Sequence, residues 1–285
     1  MKILITGATG ALGKTLVAEL GKDHDLFLLV RNKQKAQKQI GEVFEADITD
    51  FQKVTDIVTK VKPEVIIHLA AIISKACDVD PKLTELVNVE GTRNLAEAAA
   101  KSGTKMFIFP STAAVYSTDT NKKVREEDAS PMSVYGKTKF AAEGALKEIG
   151  SKSKMNTVVM RLFNVYGPGI EGSLVNKLVN STTENPAELF DPEHFIRDYI
   201  SVNQILQIIQ KLLSVQSAGF TVINVANGKG ISTASLIEQL KSLGIKPEYR
   251  TVKDDSPSFS TADISKLITL TGFTPSEKID ISGIL

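Results

Sequence analysis

The junction between the first apolar run and the first helical stretch leaves this chain the least freedom. Lys2 to Thr6 reads as a short buried strand, and it runs straight into Gly7-Ala8-Thr9-Gly10-Ala11-Leu12-Gly13. Glycines three apart at such a junction allow a tight turn, a close backbone approach by a diphosphate, and tight packing of helix on strand. The free N–H groups and partial positive charge of the helix start point at the same place. The order strand, turn, helix therefore predicts a dinucleotide-binding unit with Gly7, Thr9, Gly10, Ala11, Leu12 and Gly13 around the phosphates.

The rest of the first half repeats that rhythm. Apolar runs at 25–30, 43–45, 65–69, 106–110 and 157–161 alternate with amphipathic stretches at 12–20, 51–61, 82–101 and 135–149. Parallel strands need such crossovers, so the expected fold class is α/β, a Rossmann-type doubly wound parallel sheet. After Arg161 the pattern loosens into Gly167-Pro168-Gly169, Gly172 and the polar stretch 180–186, which suits loops and short helices. Helices are expected again at 202–213 and 231–243, with a strand at 222–225. The expected division is a dinucleotide-binding domain at 1–165 plus about 199–226, and a smaller C-terminal α/β substrate-binding lobe at about 166–198 and 227–285.

Charge gives no pull toward nucleic acid or an anionic membrane, because 34 basic side chains face 33 acidic ones among 285 residues. A small-molecule partner is the better expectation. Cys77 is the only cysteine, which leaves no disulfide framework. His24, His68 and His194 are scattered, so no metal site is expected, and His68 reads as a structural strand residue. No segment resembles a secretory leader or a membrane span, and the expected location is cytoplasmic.

Further cofactor contacts follow from the strand ends. The second strand closes on Val30-Arg31, where an NAD site usually offers a carboxylate to the ribose. Val30 cannot accept that bond, whereas a guanidinium pairs well with a 2′-phosphate, so Arg31 favours NADP over NAD. Asp47-Ile48 after the third strand suits the adenine, and the small residues of Leu69-Ala70-Ala71 after the fourth let a cofactor lie against the sheet.

Tyr135 and Lys139, four apart at the start of a helical stretch, share one face. A phenol titrates near 10, and a neighbouring ammonium makes it a better proton exchanger near neutrality. Tyr135 is then the acid/base, and Lys139 also serves the nicotinamide ribose. Some twenty residues earlier, Phe107-Ile-Phe-Pro110-Ser111-Thr112 ends a strand, at the sheet edge where such folds bind ligands. Thr112 is placed to bond the reacting oxygen, with Ser111 as a neighbour that positions the loop.

With these motifs in order, the chain resembles the extended short-chain dehydrogenase/reductase family, and within it the NAD-dependent nucleotide-sugar epimerases and dehydratases. The likeness rests on Gly7/Gly10/Gly13, Asp47-Ile48, 88–92, Ser111-Thr112, Tyr135/Lys139, 161–169, 197–200 and 262–266. It implies a catalytic triad of Thr112, Tyr135 and Lys139, with Ser111, Asn88 and Phe163 near the cofactor. It implies Asn164, Arg197 and Lys253 on the substrate side, together with Thr112. The substrate it implies is a nucleotide-diphosphate sugar, and its relatives form homodimers through the helices at 82–101 and 135–149.

Similar dehydratases carry an acidic pair after the threonine, where this chain has Ala113-Ala114, so dehydration is disfavoured. The string Ser111-Thr112-Ala113-Ala114-Val115-Tyr116 looks most like the 4-epimerases. Lys253 and Ser260 depart from the arginine and tyrosine common in that group. With Arg31, they keep an NADPH-dependent 4-ketoreductase of a nucleotide sugar, or a reductase of another carbonyl compound, as the alternative, and a non-catalytic dinucleotide sensor as a third reading. The run 121–128, rich in charge, reads as a solvated loop flanking the site, with a mobile cover as the alternative.

Overall fold

The protein is described by a computed structural model over residues 1–117, 121–215, 219–252, 258–276 and 278–284. Its centre is a seven-stranded sheet. Six strands are β1 (Lys2–Thr6), β2 (Asp25–Val30), β3 (Glu42–Glu45), β4 (Val65–His68), β5 (Met106–Thr112) and β6 (Asn156–Leu162), and the seventh is Phe220–Val225. From the last of these inward, the order is Phe220–Val225, β6, β5, β4, β1, β2, β3. β1 pairs in parallel with β2 and β4, β2 with β3, and β4 with β5. This is the doubly wound Rossmann arrangement, and the order reverses between β1 and β4.

The strands are continuous apolar runs because a parallel sheet is covered on both faces. Ile3, Leu4, Ile5, Ile66, Ile67 and Phe107 have no exposed surface, and each such side chain contributes roughly 1.5–3 kcal/mol. The crossover helix Phe51–Val61 begins at Asp50, whose carboxylate accepts from the Lys53 N–H at 3.1 Å, and it buries Val54, Val58 and Val61. It stops where Lys62 turns left-handed.

One expected helix is interrupted. Across 82–101 the chain forms Pro81–Glu85, a π turn at Leu86–Glu90, and Gly91–Ser102. Within the wider turn the buried Asn88 holds the Ile72 backbone, donating to its carbonyl at 2.9 Å and accepting from its N–H at 2.8 Å.

The chain divides into two compact units: Met1–Val115, Ser130–Arg161 and Leu213–Ile223 form the first, and Tyr116–Ala129, Leu162–Leu212 and Asn224–Leu285 the second. In the second, the central strand Phe195–Ser201 pairs with Asn164–Tyr166, Gly230–Ser232 and Ser258–Ser260. A separate ribbon joins Ala187–Phe190 to Tyr249–Val252. Helices Leu174–Val179 and Thr233–Ser242 bury Leu178, Leu236 and Leu240 around Tyr166 and Tyr199.

The charged run 121–128 is anchored at two points. Val124 bridges Ala262, with its N–H donating to the Thr261 carbonyl and its own carbonyl accepting from Asp263, each at 2.9 Å. Glu126 accepts from the Asn224 N–H at 2.9 Å and pairs with Lys266 at 3.1 Å. Most of the charged side chains here are exposed, as expected of a solvated loop, while Val124 and Glu126 tie the segment to the rest of the second unit.

Candidate active site

In the first unit, the carboxyl ends of β1 to β4 surround a cleft of about 490 Å³. Gly7, Thr9 and Gly10 line it from the turn after β1, Arg31 from β2, Asp47 and Ile48 from β3, and Leu69, Ala70 and Ala71 from β4. The expected residues Ala11, Leu12 and Gly13 lie in the first turn of helix Ala11–Leu20, outside that lining. Asn32, Lys35, Ile72 and Val87 also line the cleft. Of these, only Asn32 carries a readable signal, as the cap whose side chain accepts from the Gln34 N–H at 2.9 Å.

The turn fits a diphosphate for steric reasons. Gly7 has φ +67°, and a Cβ there would stand 2.7 Å from the Ala70 nitrogen. A Cβ on Gly13 would stand 2.4 Å from the Gly7 carbonyl oxygen. No side chain caps the helix start, so its N–H groups are available to an anion. Asp47 is already engaged on one side, since its Oδ1 accepts from the N–H and hydroxyl of Thr49 at 2.9 and 2.8 Å.

At the end of β4, next to the lining residues Leu69 and Ala70, a buried histidine is held on both sides. Thr92 donates to the Asn88 carbonyl at 2.7 Å, so its oxygen accepts from His68 Nε2 at 3.0 Å. Nδ1 then accepts from Thr6 at 2.6 Å, and Thr6 in turn accepts from the Ala70 N–H at 3.1 Å. Burial pushes His68 down to about 3, so the ring is neutral and structural.

Thr112 ends β5, and Tyr135 and Lys139 lie in helix Val134–Ser151, whose start is capped by Ser133 accepting from the Gly136 N–H at 3.0 Å. Gly136 permits close approach there, because a Cβ would lie 2.1 Å from the Ala114 carbonyl oxygen. The Thr112 hydroxyl, which accepts from the Ala114 N–H at 3.1 Å, stands beside the Tyr135 phenol and favours its ionised form. Lys139 is buried, with Nζ 3.7 Å from the centre of the Phe109 ring. Asn88 joins this cluster to the cleft, because its amide also donates to Thr138 at 3.3 Å.

The electrostatics differ from what spacing alone implies. Burial pushes the Tyr135 phenol up to about 12, against a smaller opposing effect of the Thr112 hydrogen bond. Burial also pushes Lys139 down to about 7, opposed by the Glu143 carboxylate and then by Cys77. Desolvation outweighs the ammonium that spacing credits with acidifying the phenol.

Ser111 is outside the cleft lining and donates to Glu143 at 2.5 Å. Glu143 is itself paired with Arg161. Sequence reasoning gives neither of these two a role in the site, although 135, 139 and 143 continue one helical face. Phe163, Asn164 and Arg197 belong to the second unit. Phe163 is buried with its ring 6.0 Å from Tyr116, and Asn164 donates to the Asp198 carbonyl at 2.9 Å. Arg197 is folded onto Ser258, donating to its carbonyl and hydroxyl at 2.9 and 2.7 Å, with the guanidinium over Phe195. Lys253 lies outside the described residues. Among the described residues no helix is long and apolar enough to cross a membrane, and no three His, Cys, Asp or Glu side chains gather as a metal site.

Comparison with known proteins gives a family profile, NAD dependent epimerase/dehydratase family, matching residues 3–226. A UDP-glucose 4-epimerase of Vibrio cholerae is 30% identical over 258 residues, covering 87% of this chain and 77% of the relative. A GDP-6-deoxy-D-talose 4-dehydrogenase of Aggregatibacter actinomycetemcomitans is 30% identical over 287 residues, covering 95% and 92%. The solved structure of a UDP-glucose 4-epimerase from Thermus thermophilus, in complex with NAD, superposes with a TM-score of 0.82 at 25% identity, covering 100% of this chain and 96% of that one.

Proposed function

Because the chain belongs to the NAD-dependent epimerase/dehydratase family, as an enzyme of the extended short-chain dehydrogenase type, we propose that it is an NAD-dependent 4-epimerase of a nucleotide-diphosphate sugar. The observation that carries this reading is the cluster in which the Thr112 hydroxyl stands beside the Tyr135 phenol while Lys139 lies one helical turn on. When bound, the dinucleotide supplies the oxidant that removes a hydride from the sugar and later returns it.

Gly7, Gly10 and the helix start would hold its diphosphate, and Asp47, Ile48 and Ala70 its adenosine half. Thr112 would hold the reacting oxygen of the sugar. Tyr135 Oη would take the hydroxyl proton during oxidation and give it back on reduction. A phenol held near 12 keeps its proton at neutral pH, which is the form needed to protonate a ketone. The opposite half-reaction needs nearby positive charge, for which Lys139 is the residue in place. Ala113 and Ala114 have no proton to transfer, which argues against dehydration.

NAD is the cofactor that the family description and the Thermus complex support; the preference for NADP drawn from Arg31 gains nothing from them. Arg31 does line the cleft, exposed at its rim. In the proposed division of labour the first unit binds the dinucleotide.

A second reading, a 4-ketoreductase or 4-dehydrogenase, is favoured by the Aggregatibacter relative. The two readings separate when purified protein is incubated with a panel of nucleotide sugars. Interconversion of C4 epimers with no net change in reduced nicotinamide absorbance is the expected result. Stoichiometric gain or loss of that absorbance would replace the epimerase with the second reading. Binding with no turnover on the whole panel would remove both.

We also propose a homodimer formed through the helical segments at 82–101 and 135–149. Leu83, Leu86 and Phe140 are exposed apolar side chains there, and Val79 beside them is 86% exposed. Light scattering coupled to gel filtration should give twice the 30.9 kDa chain mass. A monomer at micromolar concentration would rule the assembly out.

A further inference from the structure

We propose that Glu143 and Arg161 are positioning residues for Lys139: their buried ion pair fastens the catalytic helix to its two flanking strands and holds a carboxylate one helical turn from the lysine. The inference rests on the reading of Tyr135 and Lys139 as the acid/base pair.

The geometry is closed on every side. Tyr135, Lys139 and Glu143 stand four apart on one helix and share a face. Glu143 accepts from Ser111 of β5 at 2.5 Å. From β6, Arg161 Nε reaches its two oxygens at 3.1 and 3.2 Å, and the terminal guanidinium nitrogen reaches Oε2 at 2.7 Å. One carboxylate thus links the helix to the residue beside Thr112 and to the next strand. Glu143, Arg161 and Lys139 are each only 3% exposed.

Stability gives little reason for such a pair. Desolvating two charges costs several kcal/mol per ion, and apolar residues of similar volume often serve as well or better. What apolar residues cannot supply is fixed geometry together with a negative charge one turn from Lys139. Around that lysine stand Glu143 on its own helix, the Cys77 thiol, the neutral His68 on β4 and the Phe109 ring, with the Arg161 guanidinium on the far side of Glu143. Among them Glu143 is the carboxylate, and its charge works against the burial that drives Lys139 toward neutrality.

The test reads Lys139 directly. In protein carrying lysine labelled with ¹³C at Cε, its resonance, assigned by its absence in Lys139→Met, should titrate well below those of exposed lysines. In Glu143→Gln it should titrate lower by about one pH unit or more. The double variant Glu143→Met/Arg161→Met restores packing without charge, and it should show the same direction of change even where Glu143→Gln folds poorly. The pH profile of kcat should lose its alkaline side in parallel, with roughly tenfold less turnover at the pH where wild type begins to fall. An unchanged Lys139 titration in these folded variants would overturn the proposal. Absence of epimerase activity with a displaced titration would instead sink only the functional reading on which it rests.

Discussion

Tyr135→Phe should lower turnover of the nucleotide sugar by ~10²- to 10⁴-fold, the usual share of a positioned proton donor. The substitution deletes one oxygen and leaves the ring. The helix should keep its cap at Ser133 and its close contact at Gly136. The cleft should keep its glycine turn and the loop that Asn88 holds by Ile72. NAD should therefore bind with nearly unchanged affinity, and KM should change little beside kcat. That pattern, a fall in kcat and kcat/KM together, marks an interaction made chiefly in the transition state. Thr112→Val should act in the same direction, because it removes the hydroxyl that stands beside the phenol. Steady-state kinetics with calorimetric NAD titration decide the matter. Turnover within threefold of wild type in Tyr135→Phe would take the acid/base role from this residue.

How far the sequence announces these features depends on how local their causes are. β1 and β2 are legible to the residue, because a strand buried on both faces is an unbroken apolar run bounded by turn residues. The strand Ser258–Ser260 is not, since three residues show no period and the partner at Phe195–Arg197 is some sixty positions away. The π turn around Asn88 is invisible for a similar reason: its wider winding accompanies a bond to Ile72, which sequence does not place nearby. The cleft is legible through its glycines and strand ends, which carry their own backbone logic. Glu143 is not, because a glutamate on a mixed helix looks solvated until Arg161 is seen to face it. The direction of the Tyr135 and Lys139 shifts is hidden on the same ground. Spacing identifies a neighbour, but only packing reveals how much water has been removed.

The same chemical change at two places on the catalytic helix should have opposite effects. Gly136→Ala puts a methyl group where the Ala114 carbonyl oxygen would be 2.1 Å away and its carbon 2.9 Å away. Both are backbone atoms of the turn that follows Thr112, so neither can rotate aside. The helix must lift or the turn must move, at a cost of about 1–3 kcal/mol. Either response alters the Thr112 to Tyr135 spacing, and a displacement of order 1 Å in a catalytic group lowers turnover by about 10²-fold. Gly144→Ala meets nothing within 4 Å on an exposed part of the same helix. Within one protomer the added methyl restricts the unfolded chain and improves helix propensity, gaining ~0.5–1 kcal/mol. Thermal unfolding should move by roughly 2–4 °C per kcal/mol for a domain of this size, downward for the first variant and upward for the second. Turnover should collapse in Gly136→Ala and persist in Gly144→Ala. If Gly136→Ala is as stable and active as the parent, the close approach of helix and turn is not what holds Tyr135 against Thr112.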